Sequence, residues 1–215
     1  MLAASNLRLH KVASNRQAVV DAFSLEDRAK DVQDRDFFTD DMPLQRTLGV
    51  SWNITADMFV LQVAAEQKPF TRRGVLSTVN SIYDPLGFLT PVTIQGRLLL
   101  RELSTQAEDW DSPLPKDMEA EWDRWRASLQ DLQHLKIPRA YTSTSTSNAQ
   151  LRELCIFADA SVKAVSAVAY VKVTNHAGNV EVGFVFGKAR LAPKPDLSIP
   201  RLELCAAVLD WKKWI

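Results

Sequence analysis

Two carboxylates carry most of the chemistry this sequence offers. Asp159 closes the apolar run "CIFADAS", and Glu203 stands early in "IPRLELCAAVLDW". A carboxylate at the end of an apolar strand is costly to desolvate unless something compensates it. A divalent cation is one compensator; an arginine, a lysine or an exit into solvent are others. Glu203 has its own local explanation, because acids in the first turns of a helix complement its dipole. Should the two acids converge, their mutual repulsion would be relieved by a cation, and an all-oxygen site suits Mg²⁺ or Mn²⁺. A second set of residues is cationic. Lys68, Arg72 and Arg73 surround "FTRRG" and could track phosphates, or could simply solvate a helix start.

Other chemistries find no support. The three histidines are scattered, and Cys155 and Cys205 are too far apart for a CxxC motif. Both cysteines lie in apolar runs and read as buried, reduced thiols of an intracellular protein, cytoplasmic or nuclear. The seven glycines form neither GxGxxG nor a Walker loop. An aspartic peptidase needs Asp-Thr/Ser-Gly, and "DAS" at 159–161 lacks the glycine. Lysine plus arginine balance aspartate plus glutamate at 26 each, so bulk charge does not announce a nucleic-acid binder. The N-terminus lacks the apolar core of a signal peptide, and no run of about 18 apolar residues suggests a membrane span.

The elements that must position these residues follow from periodicity. Residues 7–13 alternate like a strand, and Ser14 and Gln17 have capping-box spacing before a short helix. Residues 25–46 read as a charged connector. "RTLGVSWNITADMFVLQV" (46–63) reads as strand, turn, strand. Thr71 is a good N-cap for a helix striped by Val75, Leu76, Val79, Ile82 and Tyr83, stopped by Asp84–Pro85 and Gly87. Pro91 opens the next helix. "DWDSPLP" is a stiff connector, and the helix 116–133 carries Met118, Trp122, Trp125, Leu129 and Leu132 at packing spacing. Residues 141–150, rich in serine and threonine, read as a linker within a polar stretch from 137. Beyond it come strands at 153–158, 165–173 and 179–187, then a helix from about 200. The first strand is apolar on both faces, so a central strand covered on both sides is expected. The chain stops inside a helical pattern, "LDWKKWI", as a fragment would.

The combination "ADAS…AVAYV…EVGFVFGKARLAP…IPRLELCAAV" resembles the start of a ribonuclease H domain of BEL/Pao-type LTR retrotransposons. "LRLHKVASN", "LGVSWNITADMFVL", "TRRGVLSTVNSIYDPLGFLTPVTIQGRLLLREL" and "DWDSPLP" resemble the polymerase region of the same elements. The resemblance spans essentially the whole chain. It implies a mixed α/β (α+β) fold in two parts. Residues 1–140 would be the palm-end hairpin, helical thumb and connection of a reverse transcriptase. After the 141–150 linker, residues 151–215 would be a truncated ribonuclease H-like three-stranded antiparallel sheet plus helix. It further implies two Mg²⁺ ions, with Asp159 bridging them and Glu203 holding one, Ser161 and Lys188 or Arg190 on phosphates, and an RNA–DNA hybrid as substrate. The remainder of the Pol polyprotein would be a partner. Ribonuclease H needs further aspartates, and the polymerase's Tyr-x-Asp-Asp turn does not occur here, so this chain is expected to be inactive alone.

Overall fold

The computed structural model describes residues 10–30, 44–47, 50–61, 68–105, 109–143, 147, 149–194 and 197–211, leaving aside the side chains of 45–47, 210 and 211. The chain divides into two units: Met1–Leu61 with Leu135–Arg139, and Gln62–His134 with Ala140–Ile215. Among the described residues no helix is long and apolar enough to cross a membrane.

The first unit is a four-stranded antiparallel sheet in the order β1 (Gln45–Thr47), β2 (Val50–Asn53), β3 (Met58–Val60), β4 (Lys136–Pro138). The expected hairpin is present. Its turn is held by Asn53, whose Oδ1 accepts the Ala56 N–H at 2.8 Å, and by Asp57 in the left-handed region at φ 51°. Aspartate tolerates that region because its short side chain bonds locally. Asp57 accepts from Trp52 Nε1 at 3.0 Å and pairs with Arg139, whose guanidinium lies 5.0 Å over the Trp52 ring. Val20, Ala29, Trp52 and Ile54 form the core. The helix α1 (Gln17–Asp21) is short, as expected, but no capping box forms: Ser14 Oγ accepts from the Arg16 N–H and Gln17 reaches Asp21. The expected strand at 7–13 is described only from His10, and within it Val12 bridges Arg28. Part of the 25–46 connector lies outside the described residues.

Among the described residues the second unit joins four α-helices to a three-stranded sheet. Thr71 caps α2 (Arg72–Ser81), its Oγ1 accepting the Gly74 N–H at 3.1 Å. α3 (Thr90–Leu103) carries Pro91 in its first turn, where the missing N–H costs nothing. α4 (Glu119–Asp131) buries Trp122, Trp125 and Leu129. The antiparallel sheet runs β5 (Ala149–Ala160), β6 (Ala164–Asn175), β7 (Val180–Leu191), and α5 (Ile199–Trp211) packs on β5 and β6. Val165, Ala192, Leu202 and Ala206 form the core beneath α5, with Ala160 and Cys205 packed against it.

The two edges of this sheet differ. The outer edge of β7 is covered: Gly187 N–H donates to Leu86 O at 2.9 Å, and Arg101 Nη1 donates to Ala192 O at 3.1 Å. Arg97 Nη1 approaches Ala189 O at 3.5 Å. Gly87, at φ +86°, permits this approach; a Cβ there would lie 1.8 Å from Gly187 O. β5 is the other edge, exposed along most of its length, with Phe157 60% accessible. The expectation of a central strand covered on both sides is therefore corrected, because β5 pairs only with β6 among the described residues. The expected 141–150 linker also falls inside the second unit: Ser143 bonds Glu181, and Ala149 already belongs to β5.

Candidate functional site

Asp159 is the penultimate residue of β5, opposite Ser166. It is exposed, so the desolvation cost expected of a buried strand does not arise. No arginine or lysine pairs with its carboxylate among the described residues, and Ser166 Oγ approaches its backbone oxygen at 3.5 Å. Ala160 packs into the core beneath α5. Side chains alternate along a strand, so Asp159 faces away from that core. Glu203 lies beside the buried Leu202 in the first half of α5 and is exposed. α5 and β5 are packed neighbours, so the fold brings the two elements together. It gathers no group of three or more His, Cys, Asp or Glu side chains among the described residues.

Ser161 has a local role. Its Oγ accepts from the N–H groups of Lys163 and Ala164 and donates to Ala164 O, closing the β5–β6 turn. Lys188 and Arg190 are two apart on β7 and so share a sheet face; Arg190 is exposed and Lys188 half-buried. The FTRRG cations are engaged within the chain. Arg73 forms a forked pair with Asp111 at 2.6 and 3.0 Å, raising its own pKa and lowering that of Asp111 through the same hydrogen bonds. The Arg72 guanidinium lies 4.4 Å from the Trp110 ring centroid. With the backbone bonds Arg73 N–H to Trp110 O and Leu114 N–H to Phe70 O, these contacts fasten the 109–114 segment beside the start of α2. Lys68 is half-buried just before.

A protein-family model described as the Pao retrotransposon-like RNaseH-like domain matches residues 71–213. The chain belongs to that family. No curated protein and no solved structure matches it. The family match begins at the α2 cap, not at the first strand of the three-stranded sheet. It thus takes in the helices that the sequence reading assigned to a separate polymerase part. The structure supplies the physical reason: α3 and the Leu86–Gly87 segment cover the β7 edge, so helices and sheet form one unit.

Asp159 and Glu203 are each donors of the kind that the divalent ion implied by the resemblance takes, with Asp159 on the sheet face away from α5. Mg²⁺ commonly takes one or two carboxylates and completes its shell with water and substrate phosphates. Both acids are solvent-accessible and carry no ion-pair partner among the described residues.

Sequence reading missed one cluster. Tyr83, Asp84 and Arg97 line a cavity with Lys188 and Arg190. Asp84 read only as a helix stop. Its Oδ1 accepts the N–H groups of Gly87 and Phe88 at 2.9 and 3.0 Å, and its Oδ2 accepts that of Leu89 at 2.7 Å. Burial pushes its carboxyl above the usual carboxylate range, an effect that these N–H donors only partly reverse. The available signal was an arginine on α3 together with a Tyr-Asp-Pro turn, which marks a helix end without saying what faces it.

Proposed function

We propose that this chain is the ribonuclease H-like, nucleic-acid-handling part of a Pao-type retrotransposon Pol protein, and that it engages RNA–DNA hybrids. The observation that carries the reading is the packing of β5, which bears the exposed Asp159 near its end, against α5, which bears the exposed Glu203. Asp159 and Glu203 would hold Mg²⁺, with Mn²⁺ as a substitute. Such an ion, when bound, activates water and neutralises charge on a phosphodiester. Arg190 and Lys188 attract the phosphate backbone. The first unit would be the palm end of a reverse transcriptase, a reading supported by the β2–β3 hairpin, and the remainder of the Pol polyprotein would be its partner inside the cell.

A non-catalytic binding role is the second reading. It is favoured by the absence, among the described residues, of any group of three or more His, Cys, Asp or Glu side chains that could hold a metal. The two readings share hybrid binding and part at cleavage. A labelled RNA–DNA hybrid is titrated with the chain at several salt concentrations. Two phosphate contacts should weaken binding roughly tenfold between 50 and 200 mM salt. In Mg²⁺ the chain alone is expected to bind without cutting. Cleavage lost in Asp159→Asn would establish the catalytic reading. No affinity at low salt would remove both.

A further inference from the structure

A cavity of about 360 Å³ opens in the second unit between the Tyr83–Thr90 segment, α3 and β7. That volume is within the range of small-ligand sites. Three cations line it, Arg97, Lys188 and Arg190, against one carboxylate, Asp84. Asp84 already accepts three backbone N–H groups, which compensate its charge. Arg97 and Arg190 alone outnumber this one carboxylate, so the cavity has an excess of positive charge. Arginine is suited to phosphate because its planar fork can donate two parallel bonds. The same cavity is lined by Tyr83, 55% accessible, which adds an aromatic ring to the lining. Bases of any sequence stack on such rings. Asn80, also lining the cavity and exposed, adds an amide donor and acceptor.

We propose that this cavity binds one nucleoside phosphate, its anion among Arg97, Lys188 and Arg190 and its base on Tyr83. The site shares Lys188 and Arg190 with the hybrid-binding reading, and otherwise uses residues which that reading does not. A free nucleotide and one nucleotide of a single strand present the same chemistry.

The test is an NMR titration of the full chain with AMP, with adenosine, and with a 5′-phosphorylated single-stranded decanucleotide. Amides around Tyr83, Arg97, Lys188 and Arg190 are expected to shift with AMP and far less with adenosine. Arg190→Gln should weaken AMP about tenfold, the scale of one lost charge-assisted hydrogen bond, and Tyr83→Ala should weaken it comparably. Arg97 also approaches Ala189 O, so Arg97→Lys, which keeps the charge, is the variant to use there; it should retain most of the affinity. If the decanucleotide binds tenfold tighter than AMP and responds to the same variants, the source is a strand. If AMP binds at least as tightly, the source is a free nucleotide. Absent shifts at these residues with every phosphate ligand, or AMP binding indifferent to Arg190→Gln and Tyr83→Ala, would overturn the proposal. Hybrid binding that persists while AMP binding is absent removes this cavity alone. AMP binding without hybrid binding leaves the cavity standing and removes the broader function.

Discussion

Gly96 sits on α3 where the helix meets Trp125 of α4. A Cβ built there would lie 2.3, 2.7 and 2.8 Å from three carbons of the Trp125 ring. Favourable carbon contacts need about 3.5 Å or more, so the ring must retreat by about 1 Å. It has little room: Trp125 is 5% accessible, and Trp122 packs against it with ring centroids 5.3 Å apart. Retreat also stretches the bond from Trp125 Nε1 to Val92 O, now 2.9 Å. Overpacking of this kind costs about 1–3 kcal/mol. An indole N–H left unsatisfied adds about 1–3 kcal/mol. Against this, replacing glycine by alanine within a helix gains about 1 kcal/mol. Gly96→Ala should therefore destabilise the protein by about 1–3 kcal/mol, the upper end applying if the indole bond is lost. Urea unfolding followed by tryptophan fluorescence measures this as a lower midpoint with an unchanged slope. Trp125→Leu separates the causes, because it removes the clash: the double variant should lose clearly less than the sum of the two singles. A Gly96→Ala midpoint equal to or above that of the parent would mean that helix propensity outweighs the contact, and the close α3–α4 packing described above would be wrong.

Gly87→Ala should be more damaging, by about 3 kcal/mol, since it adds left-handed strain to a clash with the Gly187 backbone; thermal melts against Gly178→Ala, whose Cβ meets nothing within 4 Å, isolate the clash from the strain. Asp57 has its carboxyl held below the usual range, first by the Arg139 hydrogen bond, with Trp52 adding to it. Its stabilisation is therefore complete above the ordinary carboxylate pKa of about 4 and is lost as pH falls through the depressed folded value. Asp57→Asn should lower stability by about 1 kcal/mol at pH 7, with a difference from the parent that shrinks on acidification; a constant difference down to pH 2 would contradict the linkage. Arg73→Gln breaks an ion pair whose side chains are 65% and 62% accessible, and it should leave the unfolding midpoint unmoved in 0.5 M salt, where an exposed pair is screened.

Local chemistry made several elements legible. Thr71 caps α2 through its own hydroxyl, Pro91 opens α3, and the tryptophan stripe of α4 is buried because its spacing matches one helix face. Contacts distant in sequence left no such mark. β4, at the start of the polar stretch, pairs with β3, whose Met58 lies opposite Pro138, about 80 residues away in sequence. β5 extends from Ala149 to Ala160, beyond the apolar run at 153–158, because ladder pairing with β6 continues past the hydrophobic residues. The apolar faces of β5 correctly marked a strand but not its place at the sheet edge, since side-chain pattern says what a strand can bury and not what lies beside it. Asp159 and Glu203 were legible as isolated acids; their elements' adjacency came from the meander that returns the chain to α5. The Arg97–Tyr83 cavity depends on α3 covering the β7 edge, a tertiary fact without local signature.

The central functional claim is that Asp159 and Glu203 share a divalent ion. Mn²⁺ added at substoichiometric levels to the ¹⁵N-labelled chain tests it, because the paramagnetic ion broadens nearby amides. Amides at 158–161 and 202–205 are expected to broaden together, and Asp159→Asn should remove the effect from both segments. Broadening confined to one segment, or surviving Asp159→Asn at Glu203, would show that no ion joins the two acids.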